Sequence, residues 1–439
     1  MPCRSCCSRS FRYLRIAAVA VALLLGVQIV GAQDVTVSYL GPWGGDAEGV
    51  EAEIAAACAA DLGINVEYIP FAGGGVAPLM TELRGLATAN EMPDVFWMSS
   101  GFVDEFANDG LLYNMQPLVD AAELEEDYFA AAFNAGRFPS KVDGDMYAFP
   151  IFFVETILYY NRDHFDAAGI DYPTSEWTWD DFLAASQALT FDENEDGLTD
   201  QYGYYFFGRY AHVESWVYQN NGSFLSEDRR TLEPSPEAVE TVEFLNSLIS
   251  EFGVAPTPAE VEGLDNPFRT GLVSMWIDGI WNIGANRDVE GLNFGISTIP
   301  RGPQWQEDVA YGWADMVSIS ASSENPEAAF ELVTCLSGEN RVMDPAHLSF
   351  IPSYRPLSET DEWLQADQQP ENKALLLEWA ESVGPTTFTP GWGEWRGYVG
   401  GAGLQGQLDE IFNGNADVEG ALAAATETAN EVLARFYGE

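Results

Sequence analysis

Lysine is nearly absent from this sequence of 439 residues, which contains only Lys141 and Lys373. Lys and Arg together number 19 against 69 Asp and Glu, and the formal net charge is −50. A chain with so few cations cannot neutralise many phosphates, so nucleic acids and anionic membranes are excluded as expected partners. The carboxylates favour a solvated acidic surface, with a cationic substrate as the alternative. Such a surface also suits a saline habitat, because salt screens its self-repulsion.

Cysteine and histidine are scarce as well. Of five cysteines, only Cys58 and Cys335 lie beyond the N-terminal segment, each in an apolar stretch with a helical pattern. Two free buried thiols and a disulfide both stay open, because pairing needs Cα atoms within about 7 Å. The three histidines lack metal-ligand spacing, and no Gly-x-Ser-x-Gly motif or phosphate-binding loop occurs.

The N-terminus has the pattern of a secretory signal peptide, residues 1–32. Four arginines precede an apolar run at 16–30, and small residues end at Ala32. The run is short and a cleavage site follows it, so a membrane-spanning helix is not expected. Cleavage after Ala32 removes four arginines and changes the net charge from −50 to −54. We expect a periplasmic product, soluble because no lipid-anchor cysteine follows the run.

Strand and helix patterns alternate from Asp34 onward. Strands are predicted at 35–40, 64–69 and 94–98, with helices between them, which indicates an α/β fold with a mostly parallel sheet covered by helices. Ligands of such sheets lie beyond the carboxyl ends of the strands. Those ends carry Trp43 and Asp46, and Asp104 follows the third strand.

The second part of the chain continues this alternation without a low-complexity linker. Helices are predicted at 177–189, with Thr178 as N-cap, and at 237–252, 361–381 and from 404 to the end. A strand at 272–277 ends before Asp278, and 310–319 predicts a second crossing strand. Because 439 residues exceed one core, we expect discontinuous domains joined by strands.

The stretch 144–165 links these two parts. Its β-branched and aromatic run at 151–160 predicts a buried strand with Glu155 in its middle. A carboxylate there is costly unless something pairs with it. We therefore expect Glu155 to face a ligand cleft or to have a buried partner.

Six segments in order resemble the extracellular solute-binding proteins of ABC sugar importers (family 1, maltose-binding-protein-like). The crossover reads Tyr-Ala-Phe-Pro at 147–150 and Tyr-Tyr-Asn-Arg-Asp-His-Phe at 159–165. The helix start at 177–182 and the segment Gly-Leu-Val-Ser-Met-Trp-Ile-Asp-Gly-Ile-Trp at 271–281 follow. The strand at Gly312-Trp313, the helix start at Asn325-Pro326 and Ile351-Pro352-Ser353 complete the order.

This resemblance implies two discontinuous lobes of the periplasmic-binding-protein type II, each a mostly parallel sheet flanked by helices, joined by crossing strands. The expected limits are 33–149 plus 309–355 for lobe I, and 150–308 plus 356–439 for lobe II. A carbohydrate would bind between the lobes without chemistry or a cofactor, and the monomeric protein would deliver it to ABC permease membrane subunits. A binder of polyols or other small solutes is one alternative. A secreted glycoside hydrolase using Glu155 and Asp278 is another.

Sugar sites need flat apolar surfaces for the C–H faces of the ring and polar groups for its hydroxyls. Trp281 aligns with a stacking tryptophan of the family, and Asp278 with a position that meets ligand, although a helix N-cap is its alternative. Trp392 and Trp395 lie in a loop rich in Pro and Gly, where large exposed aromatics are unusual unless they contact a ligand. The candidate ligand-binding residues are Trp43, Asp46, Asp104, Glu155, Asp278, Trp281, Trp313, Trp392 and Trp395.

One acidic loop resembles the first half of a calcium loop. Asp192, Asn194 and Asp196 alternate, and Gly197 supplies the sharp turn. The twelfth position is Gly203, so the bidentate glutamate is missing. A structural Ca²⁺ held by Asp192, Asn194, Asp196 and Asp200, and a plain acidic turn, both stay open.

Overall fold

The computed structural model describes residues 35–46, 48–205, 209–264, 266–384, 388–397 and 403–438. The expected signal peptide lies outside these residues. Among them the strands are β1 Thr36–Trp43, β2 Asn65–Phe71, β3 Val95–Ser99, β4 Arg137–Phe138, β5 Asp145–Met146, β6 Ala148–Asn161, β7 Tyr202–Tyr205, β8 Val273–Gly279, β9 Phe294–Ser297, β10 Gly312–Ile319 and β11 Ile351–Pro352.

The helices surround these strands. They are α1 Val50–Leu62, α2 Val76–Ala89, α3 Val103–Asn108, α4 Gln116–Ala122, α5 Ala130–Ala135, α6 Arg162–Ala168, α7 Trp179–Ala188, α8 Tyr210–Gln219, α9 Pro236–Ser250, α10 Asn282–Arg287, α11 Pro326–Ser337, α12 Arg355–Ser358, α13 Asp361–Leu364, α14 Leu375–Ala380, α15 Trp392–Trp395, α16 Leu404–Phe412 and α17 Val418–Tyr437. No helix in the described ranges is long and apolar enough to cross a membrane.

Strand β6 belongs to two sheets and connects them. Its first part, 148–155, pairs with β10 in a sheet of order β2-β1-β3-β10-β6. Its second part pairs with β8 and β9, and β7 lies beyond β8. All fourteen residues of β6 are buried, as the apolar run predicts. The pairing changes between Glu155 and Thr156, whereas the lobe limits expected from the sequence stay predictions.

Each sheet combines parallel and antiparallel strand pairs. The pairs β1–β2, β1–β3 and β7–β8 are parallel, as strand and helix alternation predicts. Strand β10 is antiparallel to both β3 and β6, and β6 is antiparallel to β8 and β9. Each sheet is therefore mixed: β10 runs opposite to its neighbours β3 and β6 in the first sheet, and β6 is antiparallel to its neighbours β8 and β9 in the second.

Local signals explain where several helices begin and end. The Thr178 side chain caps α7 in a capping box with Asp181, as the sequence predicts. The single helix predicted at 361–381 is wrong: α13 and α14 form instead, with Pro370 between them. Proline lacks an N–H donor and disfavours helical geometry in the preceding residue. Likewise, Gly414, with φ of 73°, separates α16 from α17.

Cys58 and Cys335 form a disulfide, with Cα atoms 5.8 Å apart. The bond joins α1 to α11 across a sequence separation of 277. Of the two alternatives that the sequence leaves open, the disulfide is therefore correct.

Candidate ligand-binding site

A cavity of about 400 Å³ is lined by residues from both sheets. Val154 on β6 and Trp313 on β10 belong to the first sheet, and Trp281 follows β8 of the second. Half of the described lining residues are aromatic, and the charged ones among them are Arg209 and Asp315. The aromatic members are Tyr210, Trp281, Tyr311, Trp313, Phe350, Phe388 and Trp392. The structure thus brings three of the candidate tryptophans together.

Trp281 is positioned by the end of β8. A Cβ atom at Gly279 would lie only 1.7 Å from the Trp281 ring, so the ring can cover this position only because it is glycine. The ring centroid lies 5.4 Å from that of Trp313, which in turn lies 5.8 Å from Tyr311. Both tryptophans are half-buried, so part of each indole remains open to a ligand.

Trp392 forms another wall of the cavity. Its ring meets Phe102, Tyr210 and Phe388 edge to face, at centroid distances of 5.5, 5.6 and 5.0 Å. This packing holds the indole in one orientation. Trp395 differs, because it is fully buried and its Nε1 donates to Oγ1 of Thr389 at 2.8 Å, and it is not among the lining residues.

Asp315 is a lining residue that the sequence analysis does not single out. It lies two residues after Trp313 on β10, and alternate residues of a strand share a face. An acid two positions from a tryptophan on a crossing strand is the signal that could have found it. Asp315 is 4% exposed and its Oδ1 has no hydrogen-bond partner. Burial raises its pKa to about 7.

Glu155 lies on the opposite face of β6. Val154 lines the cavity, and consecutive strand residues point to opposite faces. Glu155 is fully buried, and neither carboxylate oxygen has a hydrogen-bond partner. Burial therefore raises its pKa well above the usual range. The structure does not bring this predicted residue to the cavity.

Two other candidate acids lie outside the cavity lining in buried pairs. Oδ1 of Asp278 lies 3.1 Å from Nε2 of His212 and accepts from the Gly279 amide at 2.8 Å. Burial raises the pKa of Asp278, but His212 and the Gly279 amide outweigh burial and hold that pKa below its ordinary value. Asp278 does not cap α10, whose N-cap is Trp281. Asp104 pairs with buried Lys141.

The first predicted loop contributes no described contact to the cavity. Trp43 is the last residue of β1 rather than part of a turn, and its side chain lies outside the described atoms. Asp46 is exposed, and its Oδ1 accepts from the Glu48 amide at 2.9 Å.

The acidic loop forms a tight turn held by its own side chains. Asp192 Oδ2 accepts from the Gly197 amide at 2.7 Å, and Asp200 Oδ2 from the Glu193 amide at 2.8 Å. Asn194 and Asp196 each accept from the amide two residues on. Within the described ranges, no group of three or more His, Cys, Asp or Glu side chains is placed to hold a metal ion. The calcium site stays a prediction.

Comparison with known proteins identifies the family. The bacterial extracellular solute-binding protein family matches residues 43–340. This chain belongs to that family. The solute-binding protein is 24% identical to the galactooligosaccharide-binding protein of Bacillus subtilis over 396 residues, which cover 86% of this chain and 85% of the relative.

Solved structures confirm the fold of this solute-binding protein. An ABC substrate-binding protein from Listeria monocytogenes in complex with cycloalternan has a TM-score of 0.73 at 22% identity, and the match covers 92% of this chain and 99% of that one. The sugar-binding protein MalE from Xanthomonas citri has a TM-score of 0.74 at 20% identity, covering 92% and 98%. The predicted two-lobe type II architecture is confirmed.

Proposed function

We propose that this solute-binding protein captures a carbohydrate between its two lobes and delivers it to the permease subunits of an ABC importer. The observation that carries this proposal is the aromatic cavity between the two sheets. Its volume of about 400 Å³ lies in the range of small-molecule sites. Two half-buried indoles, Trp281 and Trp313, offer the apolar faces on which the C–H groups of a sugar ring can stack.

The relatives support the same ligand class. The Bacillus subtilis relative is a galactooligosaccharide-binding protein, and the Listeria monocytogenes structure contains cycloalternan. Asp315 and Ser99 add hydrogen-bonding groups at the cavity wall, which hydroxyl groups of a sugar require. A polyol could use the same polar groups but would leave the flat aromatic surfaces without a ring to stack on.

Capture without chemistry is the second part of the proposal. A glycoside hydrolase needs two carboxylates facing one bond, about 5–9.5 Å apart. Glu155 points away from the cavity, and the carboxylate of Asp278 is hydrogen-bonded to the His212 ring. We therefore expect no turnover of aryl glycosides or oligosaccharides. We also propose export to the periplasm after cleavage at residue 32, and action as a monomer.

A thermal-shift screen against mono- and oligosaccharides, with polyols as the comparison set, tests the ligand class. A ligand that binds only the folded chain adds about 2.7 kcal/mol to the free energy of unfolding at 100 times its Kd. We expect at least one saccharide to raise the Tm, and small-angle scattering to show compaction when that saccharide closes the lobes. A response to polyols alone, or to no carbohydrate, contradicts the proposal.

A further inference from the structure

Asp315 and Glu155 are both buried acids without an ion pair in the described chain, and of the two only Asp315 lines the ligand cavity. Asp104 pairs with Lys141, and Glu51 pairs with Arg341 at 2.6 Å. Asp315 lines the ligand cavity at 4% exposure, with Oδ1 unpartnered and no ion pair. Burying an ionised carboxylate without compensation is costly, so in the described chain the charge of Asp315 is left for a proton or a bound cation to neutralise.

The positively charged side chain that lines the cavity does not neutralise Asp315. Arg209 also lines the cavity, yet its charge acts on Asp278, whose pKa it helps to lower. For Asp315, burial alone raises the pKa, and no positive charge opposes it. Among the described lining residues, no cation therefore forms an ion pair with Asp315.

The walls around Asp315 suit a positive charge. Trp281, Trp313 and Trp392 line the same cavity together with Tyr210 and Tyr311. Aromatic faces attract ammonium groups, most strongly when the group is desolvated. A neutral hydroxyl could donate one hydrogen bond to Asp315, but it would leave the buried charge in place. An ammonium group supplies both the hydrogen bonds and the opposite charge.

We propose that Asp315 is the specificity-determining group of the cavity, and that it selects saccharides carrying a protonated amine over neutral saccharides of the same shape. This inference rests on the proposed function, that the cavity takes a carbohydrate. The amine donates to the Asp315 carboxylate while the sugar ring lies against the indoles. The formal net charge of −50 raises the local concentration of such cationic ligands.

Matched pairs of saccharides test this selection by titration calorimetry at pH 7. The probes are glucose and glucosamine, galactose and galactosamine, and cellobiose and its diamino counterpart chitobiose. We expect the amine-bearing member of at least one pair to bind 10-fold or more tightly than its neutral partner. In Asp315→Asn this preference falls to less than 2-fold. Glu427→Gln, which removes one exposed charge from α17, is the matched control and keeps the full preference.

The possible outcomes distinguish a failure of the inference about Asp315 from a failure of the proposed carbohydrate binding. Neutral saccharides that bind as tightly as their amine partners overturn the inference and leave the proposed function standing. A preference that persists in folded Asp315→Asn overturns the assignment to this residue. Absence of binding by every saccharide overturns the proposed function and the inference with it.

A pH series on the unmodified protein gives a second measurement that does not depend on the folding of a variant. We expect the amine preference to fall at least 5-fold between pH 7 and pH 5, because Asp315 takes up a proton in this window. Among the described residues, the other ionisable side chains lining the cavity are Arg209, Tyr210 and Tyr311; arginine and tyrosine in general have ordinary pKa values of about 10 or more. A flat preference across this range overturns the inference.

Discussion

Trp281 shows how a single side chain at the cavity depends on its neighbours. Its ring covers Gly279, where any Cβ would collide with it, and its centroid lies 5.4 Å from that of Trp313. The Gly-x-Trp pair at 279–281 is therefore one structural unit. The resemblance to the family predicts this unit from the sequence, although the ring contacts depend on the folded chain.

Replacing Trp281 by Ala removes one of the two half-buried indoles of the cavity. We expect the affinity for the saccharide found in the thermal-shift screen to fall at least 10-fold, about 1.4 kcal/mol, because the stacking surface is lost. Trp305→Ala is the matched control: Trp305 is 37% exposed, packs on Arg301 and is not a lining residue. Equal affinities for both variants would contradict the site.

Asp315 makes the stability of the ligand-free protein depend on pH. Its pKa is about 7 in the folded chain against an ordinary value of 3.8. The folded state thus holds a proton that the unfolded state loses. This contribution to stability is fully present below about pH 4 and is lost as the pH rises through 7. The loss totals on the order of 4 kcal/mol at most.

Asp315→Asn removes this pH dependence because Asn stays neutral. We therefore expect the variant to have a higher Tm than the natural protein at pH 8, with the difference shrinking toward pH 5. Differential scanning calorimetry across this range measures it. Glu427→Gln should track the natural protein at every pH. If Asp315→Asn did so too, Asp315 would not be the buried unpaired charge that the structure describes.

At the scale of elements, strand β6 and the contacts of α1 organise the fold. The strand carries the chain from one sheet to the other, so Val154 reaches the cavity while Glu155 is buried on the opposite face. Helix α1 is attached to α11 by the disulfide, and the Glu51–Arg341 pair attaches it to the 3₁₀ helix Glu339–Met343 that follows α11. Both connections join residues that are far apart in the chain.

Removing the disulfide with Cys58→Ala and Cys335→Ala should destabilise the fold. The bond closes a loop across a sequence separation of 277, and we expect the free energy of unfolding to fall by about 2–5 kcal/mol. Urea unfolding with and without reductant measures the change. Reductant should lower the stability of the natural protein but leave the double variant unaffected. Unchanged stability in both cases would mean that the bond does not form in solution.

For the whole molecule, the distribution of charge is the dominant property. In the described part of the chain, only Arg230 and Arg435 are exposed basic residues, and the two lysines are buried. Lys141 pairs with Asp104, and Lys373 lies 3.9 Å from the ring centroid of Trp363. Most basic side chains of the described chain are thus buried or half-buried, while carboxylates cover the surface.

This surface predicts that salt stabilises the protein. Raising NaCl from 0.1 to 1 M shortens the Debye length from about 10 to 3 Å, and screening weakens the repulsion of a chain with a formal net charge of −50. We expect the Tm to rise across this range and then level off, with KCl acting like NaCl. A Tm that stays constant, or that differs between the two salts, would contradict screening as the cause.

The segments with strong local signals were predictable from sequence. The apolar run of β6, the capping box at Thr178 and the Gly-x-Trp unit each depend on residues close together in the chain, so pattern and resemblance predict them. Trp281 could be proposed from the family resemblance, Trp313 from its position on the second crossing strand, and Trp392 because a large exposed aromatic in a loop rich in Pro and Gly is unusual. Their convergence could not be derived, because they are up to 111 residues apart in the numbering of the chain.

By itself, the sequence determined the α/β alternation, the buried crossing strand, the acidic character and the resemblance to solute-binding proteins, because these depend on composition and local order. Only the tertiary structure decided which acid meets the cavity. Glu155 and Asp315 both lie on crossing strands, and the pleat and register place Asp315 beside Trp313 while Glu155 points away. It also decided the pairing of Cys58 with Cys335, since which residues meet depends on how distant segments pack.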